Sequence, residues 1–73
     1  MKNQKQVVEK FNQFIEIGFS MRQISRASGI PVSNIHRLII EDETTFRARD
    51  STLIKANIGI EKITKDIKSC LED

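Results

Sequence analysis

Within the 73-residue chain, the side chains best suited to chemistry cluster between Ser20 and Arg37, and they are hydrogen-bonding groups rather than nucleophiles. The Arg37 guanidinium matches the paired acceptors of a guanine edge, the Asn34 amide can pair with an adenine, and Val32 can meet a thymine methyl. Ser33 and His36 can contact base edges or phosphate oxygens. Upstream, Ser20, Arg22 and Gln23 offer a hydroxyl, a cation and an amide, groups that position a protein on a phosphate backbone without reading its sequence. Catalysis finds little support. There is one histidine, His36, and one cysteine, Cys70, far apart in the sequence, and the carboxylates form no pair with a base or nucleophile. A metal cluster, a disulfide framework and a glycine-rich phosphate loop are all missing from the sequence. The expectation is therefore a non-enzyme with no metal, no cofactor and no evident small-molecule substrate.

These side chains need two short helices crossing at a steep angle. Ile24, Ile30, Ile35 and Leu38 are spaced to bury against each other across such a crossing, while Ala27 and Ser28 are small enough for close approach. Gly29 falls where the first helix should end in a left-handed residue, a conformation costly for any residue with a side chain. Ser20 with Gln23 makes a capping-box signature for that helix. The following helix is expected from Val32 or Ser33 to Ile40, with either Pro31 in its first turn or Ser33 as its cap. Residues 20–40 thus read as a helix-turn-helix, in which the second helix enters the major groove of double-stranded DNA. Val32, Ser33, His36 and Arg37 would face the bases with Asn34 at the margin, because Ile35 and Leu38 must turn inward. Arg26, Arg47 and Arg49 are weaker candidates for backbone contacts.

A preceding helix is expected from about Asn3 to Ile17, since Val7, Val8, Phe11, Phe14 and Ile15 recur at three- and four-residue steps. Gly18 ends it, and Phe19 is a core anchor. Residues 41–51 show no period and read as a connector with a helical turn around Phe46, which pins it to the core. A final helix, about Thr52 to Leu71 with Asp50 or Ser51 as cap, carries Leu53, Ala56, Ile60, Ile63, Ile67 and Cys70 at alternating steps of three and four. This is the seam of a coiled coil. It predicts a homodimer with Ala56, Ile60, Ile63, Ile67 and Cys70 at the interface, while Ile54 and Ile58 help to pack the start of the helix on its own body. An ordinary fourth helix packed on its own domain is the alternative.

The fold class is thus all-α: a three-helix body over residues 1–50, followed by a dimerisation helix over residues 51–73 within the same compact domain. A chain this short buries only about 60% of its unfolded surface, so its own core leaves little margin. The net charge is +2, but residues 1–40 carry six Lys and Arg against two Glu, a balance of +4, and the remainder is acidic. The basic half is the half with the motif, as phosphate neutralisation requires. No apolar run has signal-peptide or membrane length, which suggests a cytoplasmic protein of bacterial or phage type.

Residues 23–38, Gln-Ile-Ser-Arg-Ala-Ser-Gly-Ile-Pro-Val-Ser-Asn-Ile-His-Arg-Leu, resemble the helix-turn-helix of phage repressors and Cro proteins and the DNA-binding ends of resolvases and transposases. The small Ser25, Gly29 and the aliphatic Ile24, Ile30, Ile35 and Leu38 carry the likeness. Ser28, where an apolar residue is usual, and Pro31, where a capping serine is common, depart from it. The resemblance implies a dimeric, sequence-specific transcriptional regulator, a repressor at a palindromic promoter site of a phage, plasmid or other mobile element. Two alternatives stand beside it. One is an autoregulatory DNA-binding module of a larger mobile-element protein, such as an anti-CRISPR protein or recombinase. The other is a helical protein-interaction adaptor.

Overall fold

Apolar residues at helical spacing, broken by Gly18, Gly29 and Pro31, give four helices among the described residues. A computed structural model describes residues 2–41 and 43–72, with side chains described as far as Lys68. Among the described residues the protein is all-α, with α1 (Gln4–Glu16), α2 (Met21–Ser28), α3 (Val32–Ile40) and α4 (Asp50–Glu72) and no strand.

Local chemistry sets the helix ends. Both α1 and α2 start in reciprocal capping boxes, Asn3 with Gln6 and Ser20 with Gln23, so that side chains satisfy amides that lack an intrahelical partner. Gly29 closes α2 at φ +77°, with its amide donating to the Ser25 carbonyl. Pro31 precedes α3 and makes no side-chain cap, so Ser33 lies inside the helix rather than capping it. The last helix begins at Asp50, two residues before the expected start, and the Leu53 amide donates to the Arg49 carbonyl. The turn in the connector falls at residues 43–45 instead of around Phe46.

Val7, Phe11 and Phe14 of α1, Ile24 of α2, Ile30 of the turn, and Ile35 and Leu38 of α3 form one core with Ala56, Ile60 and Ile63 of α4. Phe19 and Phe46 pack at its edge, and the Phe14 and Phe19 rings lie 5.9 Å apart. The assignment of the α4 seam to a dimer interface needs correction. Ala56, Ile60 and Ile63 are 0%, 4% and 2% exposed within a single chain, and Ile67 is half-buried against the same core. Among the described residues, the most extensive helix packing is α2 on α4, followed by α1 on α4. The seam therefore fills the protein's own core, because three short helices alone leave an apolar face that α4 must cover. Cys70, the remaining interface candidate, lies outside the described side chains. The pair expected to help seat α4 behaves oppositely: Ile54 and Ile58, one turn apart on the outer face, are 48% and 47% exposed.

The register of α4 on α2 depends on Gly59. A Cβ at this position would lie 2.6 Å from the Ser28 Cβ and 2.8 Å from its Cα, so the two helix backbones cross in close approach here. Ser28, the residue it meets, is buried, and its hydroxyl is hydrogen-bonded. It donates to the Ile24 carbonyl and accepts from the Ile30 amide, which ties the end of α2 to the turn.

Candidate functional site

Helix α3 buries Ile35 and Leu38 and presents its other side to solvent. At about 100° per residue, Val32, Ser33, His36, Arg37 and Ile40 fall on that outer side, and all are exposed. Asn34 sits near the boundary and is half-buried. The structure thus brings four of the five expected base-facing residues onto one open face, with Asn34 at its margin. Ile40, 65% exposed at the end of the same face, was not among the expected residues.

The turn between α2 and α3 is held by more than glycine. The Ser25 hydroxyl donates to the Ile30 carbonyl at 2.6 Å, and the Ile30 amide donates to the Ser28 hydroxyl, which itself donates to the Ile24 carbonyl. Ile30 itself is buried. These contacts fix how α3 leaves the body, and with it the aim of the outer face.

At the start of α2, Ser20, Arg22 and Gln23 are all exposed. Ser20 Oγ accepts the Gln23 amide at 3.2 Å, while Gln23 Oε1 accepts the Ser20 amide at 2.8 Å. Each keeps a donor for another partner: the Ser20 hydroxyl proton and the Gln23 side-chain NH2. Capping and anion contact are therefore compatible here.

Among the described residues, Arg37 is the one reading candidate whose side chain is already engaged. Its Nε donates to Glu41 Oε2 at 2.8 Å, and its guanidinium carbon lies 4.3 Å from the centroid of the Phe46 ring. Phe46 is brought there by Gln4, a buried polar residue of α1. Gln4 Nε2 donates to the Phe46 carbonyl at 2.6 Å, and Gln4 Oε1 accepts the Ala48 amide at 2.8 Å. One amide side chain thus satisfies two backbone groups of the connector and sets the ring beside α3. Opposite charges at Arg37 and Glu41, four residues apart, were visible as a helical pairing signal. Nothing in the local sequence links Gln4 to residues 46–48, because that contact joins segments more than forty positions apart.

No protein-family model, curated protein or solved structure matches the chain. Among the described residues no group of three or more His, Cys, Asp or Glu is arranged to hold a metal ion, and no helix is long and apolar enough to cross a membrane.

Proposed function

We propose that this protein is a small sequence-specific DNA-binding regulator, acting in the cytoplasm as a repressor at a promoter of a phage, plasmid or other mobile element. The observation that carries this is the α2-Gly29-α3 unit. Its two helices share Ile24, Ile30, Ile35 and Leu38 as a core, and its second helix opens Val32, Ser33, His36 and Arg37 to solvent on one face. Such a helix fits the major groove, with Ser20, Arg22 and Gln23 at the start of α2 positioned on the adjoining backbone. The concentration of basic charge in residues 1–40 supports the same partner.

A homodimer belongs to the proposal as the means of reading a palindrome. Its contact is moved from the buried seam to the outer face of α4, where Ile54 and Ile58 stand half exposed one turn apart. Sedimentation of the protein with and without Ile58→Lys tests that placement, and wild-type protein that stays monomeric on its DNA site would refute it. A protein-interaction adaptor is supported by one observation, an open cleft of about 470 Å³ between α1, the end of α3 and the connector, with Val8, Ile39 and Ile40 in its lining.

Selection of bound sequences from a random duplex pool, repeated over a range of salt, separates the two. DNA binding through phosphates weakens linearly in a double-logarithmic plot against salt, and a recovered palindrome would support both specificity and symmetry. Failure to retain any duplex at low salt would refute the DNA-binding proposal.

A further inference from the structure

We propose that Glu41 and Phe46 are positioning residues that hold Arg37 ready to read a guanine end-on, an inference that rests on the DNA-binding proposal above. A guanidinium has five N–H groups in a rigid plane. In this structure Nε is occupied by Glu41 Oε2 at 2.8 Å, so the edge that pairs Nε with a terminal nitrogen is already used. The two terminal nitrogens remain, and they form the fork that fits guanine O6 and N7. The Phe46 ring, 4.3 Å from the guanidinium carbon, covers one face of the plane and fixes its tilt. The side chain nevertheless remains 53% exposed, so the fork is not buried by its supports.

Three features make this a holding device rather than a chance surface ion pair. The arginine lies on the open face of α3, whereas its carboxylate partner lies at the end of that helix, away from the first turn. The ring beneath it is not loose, because Gln4 anchors the Phe46 carbonyl and the Ala48 amide to α1. The Glu41 charge also cancels that of Arg37 locally, which suits a base contact better than a phosphate contact. A long arginine side chain loses much rotamer freedom when it binds, and holding it beforehand removes part of that cost from the complex.

The chemistry names the target: one G·C pair per site, recognised through its major-groove acceptors. A good bidentate contact of this kind discriminates by about 5- to 150-fold against another base. The test uses the full chain, the sequence recovered from the duplex pool, and duplexes in which each pair is replaced in turn. Wild-type protein should show a guanine preference of that size at one pair, and Arg37→Ala should abolish it. Because Arg37 is expected to contact a base, its loss should leave the salt slope nearly unchanged, whereas loss of a phosphate contact would lower the slope by about one. Glu41→Ala should reduce the guanine preference several-fold at the same pair and leave preferences elsewhere intact. Glu41→Gln, which keeps an acceptor oxygen without the charge, should fall between. Phe46→Leu, checked for folding by its melting curve, should also weaken it.

A guanine preference that is unchanged or increased in Glu41→Ala overturns the inference, since Glu41 would then be idle or would sequester Arg37 from DNA. A uniform loss across all sequences on Arg37→Ala also overturns it by assigning that residue to the backbone. These results differ from failure of the underlying proposal, in which wild-type protein binds no duplex even at low salt.

Discussion

Replacing Gly59 by alanine sets two well-defined effects against each other. In a helix interior, alanine is favoured over glycine by about 1 kcal/mol, so helix propensity alone predicts a more stable protein. Packing predicts the opposite. The added Cβ would stand 2.6 Å from the Ser28 Cβ, 2.8 Å from its Cα and 3.0 Å from its amide nitrogen, and non-bonded carbons prefer about 3.5–4.0 Å. Two of these three atoms are backbone, so no side-chain rotation clears the overlap. Relief requires α4 to move off α2 by roughly 1 Å, which forfeits about a quarter to a half of the dispersion energy at contacts along that interface. Overpacking costs about 1–3 kcal/mol, occasionally more, and a clash against backbone atoms falls in the upper part of that range, at about 2–3 kcal/mol. With the propensity gain subtracted, the expected outcome is a net loss of about 1–2 kcal/mol. For a domain of this size that corresponds to a fall in Tm of roughly 4–16 °C, at about 4–8 °C per kcal/mol. Thermal melting followed by far-ultraviolet circular dichroism measures it directly. In a Ser28→Gly background the shortest contact disappears while the two backbone contacts remain, so the same substitution should cost less there without becoming favourable. A Tm for Gly59→Ala equal to or above that of the wild type would refute the close crossing and, with it, the register of α4 on α2.

Other perturbations read different parts of the same scaffold. Gly29→Ala should lower stability by about 1 kcal/mol and Gly29→Val by more, because φ is +77° and the space around the residue is open, so the penalty is conformational rather than steric crowding; equal melting temperatures for all three proteins would contradict this. Ile63→Lys should unfold the domain rather than release a folded monomer, since the site is 2% exposed and an unpaired buried charge costs several kcal/mol out of a total of about 4–11 for a chain of this length; a native dichroism spectrum for that variant would contradict it. Arg22→Ala should weaken binding to all duplexes alike and lower the salt slope by about one, and an unchanged slope would remove this residue from the DNA backbone.

The parts of the fold that were legible in the sequence are those decided within a few residues. The Ser20–Gln23 box, the left-handed Gly29 and the inward Ile24, Ile35 and Leu38 each follow from local spacing, and each is found in the structure. The fate of the α4 stripe was not legible, because a three-and-four repeat states that a face must be covered and not which chain covers it. Three short helices leave room on α1 and α2, and α4 occupies it. Gly59 is costly within its helix on propensity alone, and what makes a residue without a Cβ fit there is Ser28 on another helix. Ser28 stands where the resemblance to repressor motifs leads one to expect an apolar residue, and a Cβ at Gly59 would meet it. The two departures explain each other only once the helices are paired. The same holds for Gln4, whose sequence neighbours suggest only a helix start and whose partners are the carbonyl of Phe46 and the amide of Ala48.

These long-range contacts also determine how rigidly the outer face of α3 is presented. The chain of support begins with α4, which fixes α2 through the Ser28–Gly59 approach and the Ile60 and Ile63 side chains. Helix α2 passes that constraint on through Ser25 and Ser28, which grip the Ile30 backbone from two sides, and Ile35 and Leu38 then seat α3. From the opposite end, α1 holds the connector through Gln4, and the connector carries Phe46 to Arg37. The first turn of α3 and the Arg37 side chain are thus positioned by separate routes that meet on one helix. A change at Gly59 acts first on the α2 route and through it on the aim of the whole helix, whereas a change at Glu41 acts on a single side chain. If the outer face reads DNA, damage at Gly59 should reduce affinity for every sequence together with stability, and damage at Glu41 should weaken the guanine preference at one position while the unfolding free energy stays within about 1 kcal/mol of wild type, the range expected for an exposed ion pair.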